Sequence, residues 1–166
     1  MSYPTSDIRR QATRLLDSAS VSHEPVSLRD VVSALNLELV GQTREPFTSE
    51  AALAPLSDGR AGALSGGGDS GRRRFTIAHE IGHFMLHQEQ RCHPEAGGAG
   101  DEVGRVEEGE ADEFAAELLM PEVLVREAVR AHGPDATRLA DRFEVSRKTM
   151  QARLNGLGLT ELRSDQ

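Results

Sequence analysis

Residues 79–83 read His79-Glu80-Ile81-Gly82-His83, and no other short stretch constrains the fold of this chain as tightly. Two histidines four positions apart share a face when the backbone is helical, where they sit one turn apart. The motif therefore predicts a helix. Phe75, Ala78, Met85 and Leu86 flank it and give that helix an apolar side to pack against a core. With both rings on one face, their nitrogens can converge on a single Zn2+ at roughly 2.0–2.1 Å. Glu80 lies between them without being a ligand. It projects to the side, where it can take a proton from a water on the metal.

A catalytic zinc site needs a third protein ligand and one open position. Carboxylates for that role lie in Glu107-Glu108-Gly109-Glu110-Ala111-Asp112-Glu113, on a second predicted helix about 25 residues after His83. Glu108 and Asp112 are four apart and face the same way. Glu108 can then bind the metal while Asp112 accepts the outer N–H of a ligand histidine, a contact that orients the ring and raises its basicity. Glu110 is the rival for third ligand. Glu107, Glu113 and Glu117 read as a solvated acidic face. Cys92-His93 offers a further ligand, and Cys92 is placed to fill the open position. His87 extends the face of His79 and His83 by another turn. It is a candidate for binding substrate or a developing oxyanion, or else a favourable last-turn charge against the helix dipole. The only tyrosine, Tyr3, is far away in sequence, so no oxyanion donor of that type is assigned.

The rest of the composition narrows the class. A chain of 166 residues is one domain's length, with room for a small appended module. Aromatics make up 4% and tryptophan is absent, so the core must be built from Leu, Val, Ala, Ile and Met. The net charge of −8 argues against a protein that coats nucleic acid and against a polybasic membrane anchor. Apolar runs are only a few residues long, so no membrane-spanning helix is expected. The start, MSYPTSDIRR, has no apolar stretch of the secretory kind. A lone cysteine excludes an internal disulfide and a thiolate zinc site. The expected location is the cytoplasm.

Along the chain, residues 6–19 predict a helix with Ile8, Ala12, Leu15 and Leu16 on one stripe and Ser6 as its cap. Ser27 caps a second short helix carrying Leu28, Val31, Val32 and Leu35. Strands are expected at 37–40, 51–56 and 61–64, the last two joined by a turn at Ser57-Asp58-Gly59. A Gly/Ser loop at 65–71 lacks the ending of a phosphate loop. Helices follow at 72–87, 106–119 and 122–131, with a long Gly-rich loop at 88–105. That loop joins the two ligand helices, and it is expected to lid the cleft between them. Gly133-Pro134 marks a break, and short helices follow at 136–143 and 147–155.

Two blocks together resemble the ImmA/IrrE family of metallo-endopeptidases. They are Arg74-Phe75-Thr76-Ile77-Ala78-His79-Glu80-Ile81-Gly82-His83-Phe84-Met85-Leu86-His87 and Glu108-Gly109-Glu110-Ala111-Asp112-Glu113-Phe114-Ala115-Ala116-Glu117-Leu118-Leu119-Met120-Pro121. The resemblance implies an α+β, zincin-like metallopeptidase domain over 1–131. In it a small sheet packs against the active-site helix, and a helical, helix-turn-helix-like tail follows at 134–166. It implies that His79, His83 and Glu108 hold Zn2+ and that Glu80 is the general base. Asp112 stands where the family often has Asn or Asp. It also implies an endopeptidase that cleaves a partner transcriptional repressor, itself a helix-turn-helix protein, and so derepresses genes. The Gly-rich Leu64–Gly71 departs from the more apolar, Asn-containing lead-in of the family, so a short substrate-holding edge strand is expected.

The tail carries a second message. From Arg138 to Arg163 there are six basic and three acidic residues, against a net −11 in the remainder. Leu139, Ala140, Phe143, Val145, Met150 and Leu154 would form the core of a helical pair. Ser146 would then cap a helix bearing Arg147, Lys148, Gln151 and Arg153. Such a helix can enter a major groove, or the pair can simply pack on the catalytic part and dock the repressor. Three net charges give weak, salt-sensitive DNA affinity, so DNA is a secondary partner at most. The alternative to a peptidase is a regulator-binding module with a structural or vestigial zinc site. An intact Glu80 speaks against it, because a structural site has no use for a general base.

Overall fold

A computed structural model describes residues 2–40, 51–55, 61–65, 70–87 and 102–160, the strands by their backbone alone. Helix α1 spans Thr5–Ser18 and buries Ile8, Ala12, Leu15 and Leu16, the stripe read from the sequence. Its N-cap is Pro4 rather than Ser6, and no side chain caps it. Helix α2, Leu28–Ala34, starts at Ser27, whose Oγ accepts from the Asp30 N–H at 3.4 Å.

Three short strands follow: β1 Glu38–Val40, β2 Ala51–Pro55 and β3 Ala61–Ser65. They form one sheet in the order β1-β3-β2, with β1 parallel and β2 antiparallel to β3. Helix α3, Ser70–Leu86, carries the His-Glu-Ile-Gly-His motif, and α4, Glu102–Leu119, carries the acidic block. Helices α5 Glu122–His132, α6 Ala136–Phe143 and α7 Arg147–Gly156 complete the described chain.

The expected α+β class, a small sheet packed against the active-site helix, is corrected to a mainly helical fold in which the sheet is three short strands. Among the residues whose side chains are described, the hydrophobic core is helix on helix, and β2 and β3 lie along α3. Ile77 and Ile81 of α3 share one cluster with Phe114, Leu118 and Leu119 of α4, α1 also packs on α4, and α6 and α7 join the same cluster. Composition explains the outcome. Strands β2 and β3 are built largely of Ala, Gly and Ser, with Leu53 and Leu64 their only large aliphatics. Such residues bury little apolar surface per residue, so the helices must supply the hydrophobic driving force.

Local signals set the tail. Asp135 Oδ1 accepts from the Arg138 N–H at 2.7 Å and starts α6. Glu144, at φ 52°, ends α6 in the left-handed region. Ser146 Oγ then accepts from the Thr149 N–H at 3.0 Å and starts α7. The turn between them presses on α3. A Cβ at Gly71 would lie 2.9 Å from the carbonyl carbon of Val145, so only glycine lets the backbones approach this closely.

Two charged residues expected on the surface are buried instead. Glu117 is 3% exposed and Arg153 is 7% exposed, and they form an ion pair between α4 and α7. Arg153 Nε also donates to the carbonyl of Met120 at 3.0 Å. Glu117 therefore leaves the solvated acidic face, and Arg153 leaves the basic face of α7. Among the described residues no helix is long and apolar enough to cross a membrane.

Candidate metal centre

The site is made by two helices. Helix α3 supplies His79 and His83 one turn apart, and α4 supplies Glu108 and Asp112 one turn apart. Gly82 lets the two helices come close, because any Cβ there would meet Ala111 Cα at 3.1 Å.

The geometry brings three donor atoms together. Glu108 Oε2 lies 3.2 Å from His79 Nε2, and Glu108 Oε1 lies 3.2 Å from His83 Nε2. The two Nε2 atoms are 3.0 Å apart. These separations approach the edge of a tetrahedron with bonds of 2.0–2.1 Å, which is ~3.3 Å. Two imidazole nitrogens and a carboxylate are also the donor set that a divalent zinc prefers. The residues present therefore fit the metal that the sequence implied, and His79, His83 and Glu108 form a group able to hold a cation.

The other expected residues surround this group. Asp112 Oδ1 lies 2.8 Å from His79 Nδ1, the partner the spacing called for. That hydrogen bond raises the His79 pKa above the ordinary imidazole value, burial opposes it, and the nearby carboxylates of Asp112, Glu108 and Glu80 add to the rise. Glu80, half-buried, follows His79 directly in α3.

Glu110, the rival for third ligand, is turned elsewhere. It is buried, and its Oε2 lies 2.8 Å from His87 Nε2. Its Oε1 accepts from the Tyr3 N–H at 2.5 Å. Burial pushes the Glu110 carboxyl up, but hydrogen bonds from His87, the Tyr3 backbone and the Ser2 side chain outweigh it and hold the pKa below the usual carboxylate range. His87 is buried too, and its Nδ1 faces His83 Nδ1 at 3.1 Å. Both His87 nitrogens are engaged, so neither is directed at a substrate carbonyl. The His87–Glu110 pair was missed in the sequence, where only the regular spacing of His79, His83 and His87 hinted at it. Cys92-His93, the Ser57–Gly59 turn and most of the 65–71 and 88–105 loops lie outside the described residues.

Comparison with known proteins identifies the family of the chain. The family model Peptidase_M78, described as the IrrE N-terminal-like domain, matches residues 63–155, a span that contains both ligand helices. The chain belongs to this family. Over 80 residues it is 38% identical to the radiation response metalloprotease IrrE of Deinococcus radiodurans, a match covering 45% of this chain and 24% of that protein. A solved structure described as a Mycobacterium tuberculosis transcriptional regulator superposes with a TM-score of 0.66 at 20% identity. It covers 96% of this chain and 58% of the other, a likeness of fold. The chain thus spans about a quarter of the length of the IrrE metalloprotease it matches.

Proposed function

We propose that this chain is a zinc-dependent endopeptidase whose substrate is a protein regulator of transcription. One observation carries the reading: ligand atoms of His79, His83 and Glu108 all lie within 4.8 Å of one another, and Glu80 follows His79 directly in α3. Membership of the IrrE N-terminal-like family supports a peptidase.

His79, His83 and Glu108 would hold the zinc. When bound, zinc supplies Lewis acidity, polarising a carbonyl and bringing the pKa of a water toward ~7. Asp112 fixes the His79 ring by accepting from Nδ1–H, which leaves Nε2 free to act as a ligand. Glu80 takes a proton from the attacking water as its oxygen adds to the scissile carbonyl carbon. It then gives that proton to the departing amine nitrogen as the C–N bond breaks. The regulator class rests on the family resemblance, which implies a repressor with a helix-turn-helix fold.

The tail argues for packing over DNA reading. The start of α7, the end that would enter a major groove, lies against Gly71 of α3, and Arg153 is buried against Glu117. Co-expression with a repressor encoded beside the gene tests the proposal. The wild type is expected to cleave it and Glu80→Gln to leave it intact. Equal cleavage by both would remove Glu80 from the chemistry.

A further inference from the structure

Beyond the ligands, three polar groups run in line from His83 to the start of the chain. His83 Nδ1 faces His87 Nδ1 at 3.1 Å, His87 Nε2 faces Glu110 Oε2 at 2.8 Å, and Glu110 Oε1 accepts from the Tyr3 N–H at 2.5 Å. His87 is 4% exposed and Glu110 is 6% exposed, while the ligand histidines are only partly buried. A buried polar pair is costly unless it is fully hydrogen-bonded, and apolar residues would pack the same space at lower cost. The pair therefore calls for a reason other than packing.

We propose that His87 and Glu110 are positioning residues for the zinc ligand His83, locking its ring with Nε2 bare and turned toward the metal position. This rests on the zinc reading of the preceding section.

Counting hydrogens gives the argument. A carboxylate only accepts, so the hydrogen between His87 and Glu110 sits on His87 Nε2. With that hydrogen on Nε2, the His87 imidazole can accept at Nδ1. Two facing Nδ1 atoms at hydrogen-bond distance hold one hydrogen between them, so it belongs to His83. With its hydrogen on Nδ1, His83 presents an unprotonated Nε2 to His79 and Glu108. Asp112 does the same for His79 through a single carboxylate. At His83 Nδ1 the partner is His87, which carries the influence of Glu110 one helical turn further along α3. Both ligand rings are thus set by acidic residues of α4, one directly and one through a relay.

The test is zinc affinity of the full-length chain, measured by competition with a chromophoric chelator, together with the visible spectrum of the Co2+-substituted protein. His87→Leu fills the space without hydrogen bonds. It is expected to weaken zinc by about 10–100-fold and to alter the Co2+ spectrum, with helical content of the metal-free protein retained. His87→Gln can accept from His83 and donate to Glu110, so it is expected to recover most of the loss. Glu110→Gln conserves volume but frees His87 to present either nitrogen, and a loss of about tenfold is expected. A wild type that binds zinc tightly, with His87→Leu and Glu110→Gln binding within twofold of it, would overturn the positioning role alone. A wild type that takes up no zinc would overturn the metal reading and the positioning role with it.

Discussion

Gly82 and Ala111 meet where α3 crosses α4, so closely that a Cβ on Gly82 would lie 3.1 Å from both the Cα and the carbonyl oxygen of Ala111. The same approach brings His79 and His83 to Glu108. A small residue at the crossing and the ligands beside it are therefore one design.

Gly82→Ala tests that coupling. Overpacking of a tight interface costs about 1–3 kcal/mol. We expect that loss in the denaturation of the metal-free protein, accompanied by weaker zinc binding as the helices separate. Unchanged zinc affinity in the variant would uncouple the crossing from the site.

Asp112 is expected to matter through His79. Asp112→Ala should lower zinc affinity by about 10–100-fold, and Asp112→Asn, which keeps an acceptor oxygen, should recover part of it. Competition with a chelator reads both. Equal affinities for Asp112→Ala and the wild type would remove the orienting role.

Much of this arrangement was legible in the sequence because helical spacing carries it. The four-residue steps His79–His83 and Glu108–Asp112 each place two side chains on one face, and the apolar stripe of α1 appears as read. The misreadings have physical causes. Helix α4 begins at Glu102, earlier than the expected 106, because Glu102-Val103-Gly104 offers no helix-start signal. The strands are present but short, and seven helices carry most of the described chain. Glu117 and Arg153 looked solvated because each is charged and each sits among charged neighbours. Their pairing spans 36 positions and is invisible to local periodicity. His87 and Glu110 are 23 positions apart and pair for the same long-range reason.

The Glu117–Arg153 pair makes the tail part of the core. Glu117→Gln leaves a buried guanidinium short of its counter-charge and should cost about 3–5 kcal/mol. Replacing both, as Glu117→Leu with Arg153→Met, should return stability to the wild-type level or raise it by up to ~4 kcal/mol. Urea denaturation distinguishes the two. A single variant as stable as the wild type would show that α7 is not anchored through this pair.

Acid should weaken the fold through two further carboxylates. Burial pushes Glu24 up, but its hydrogen bonds with Arg142, at 2.6 and 3.1 Å, outweigh that and hold it below 4.5. Arg126 holds Glu122 below 4.5, with burial opposing and Arg9 adding to the effect. A carboxyl whose pKa is lower in the folded state stabilises it above the unfolded value and loses that contribution as pH falls through the folded value. The metal-free Tm should therefore drop as pH falls below about 4.5. In Glu24→Gln and Glu122→Gln the drop should be shallower, from a lower starting Tm. A profile identical to the wild type in both would contradict the assignment.

Metal content tests the central claim most directly. Full-length protein purified without added chelator, then analysed by atomic emission, is predicted to hold one zinc per chain, and His83→Ala to hold almost none while keeping its helical content. A wild type without stoichiometric zinc, or a His83→Ala variant that retains it, would contradict the account.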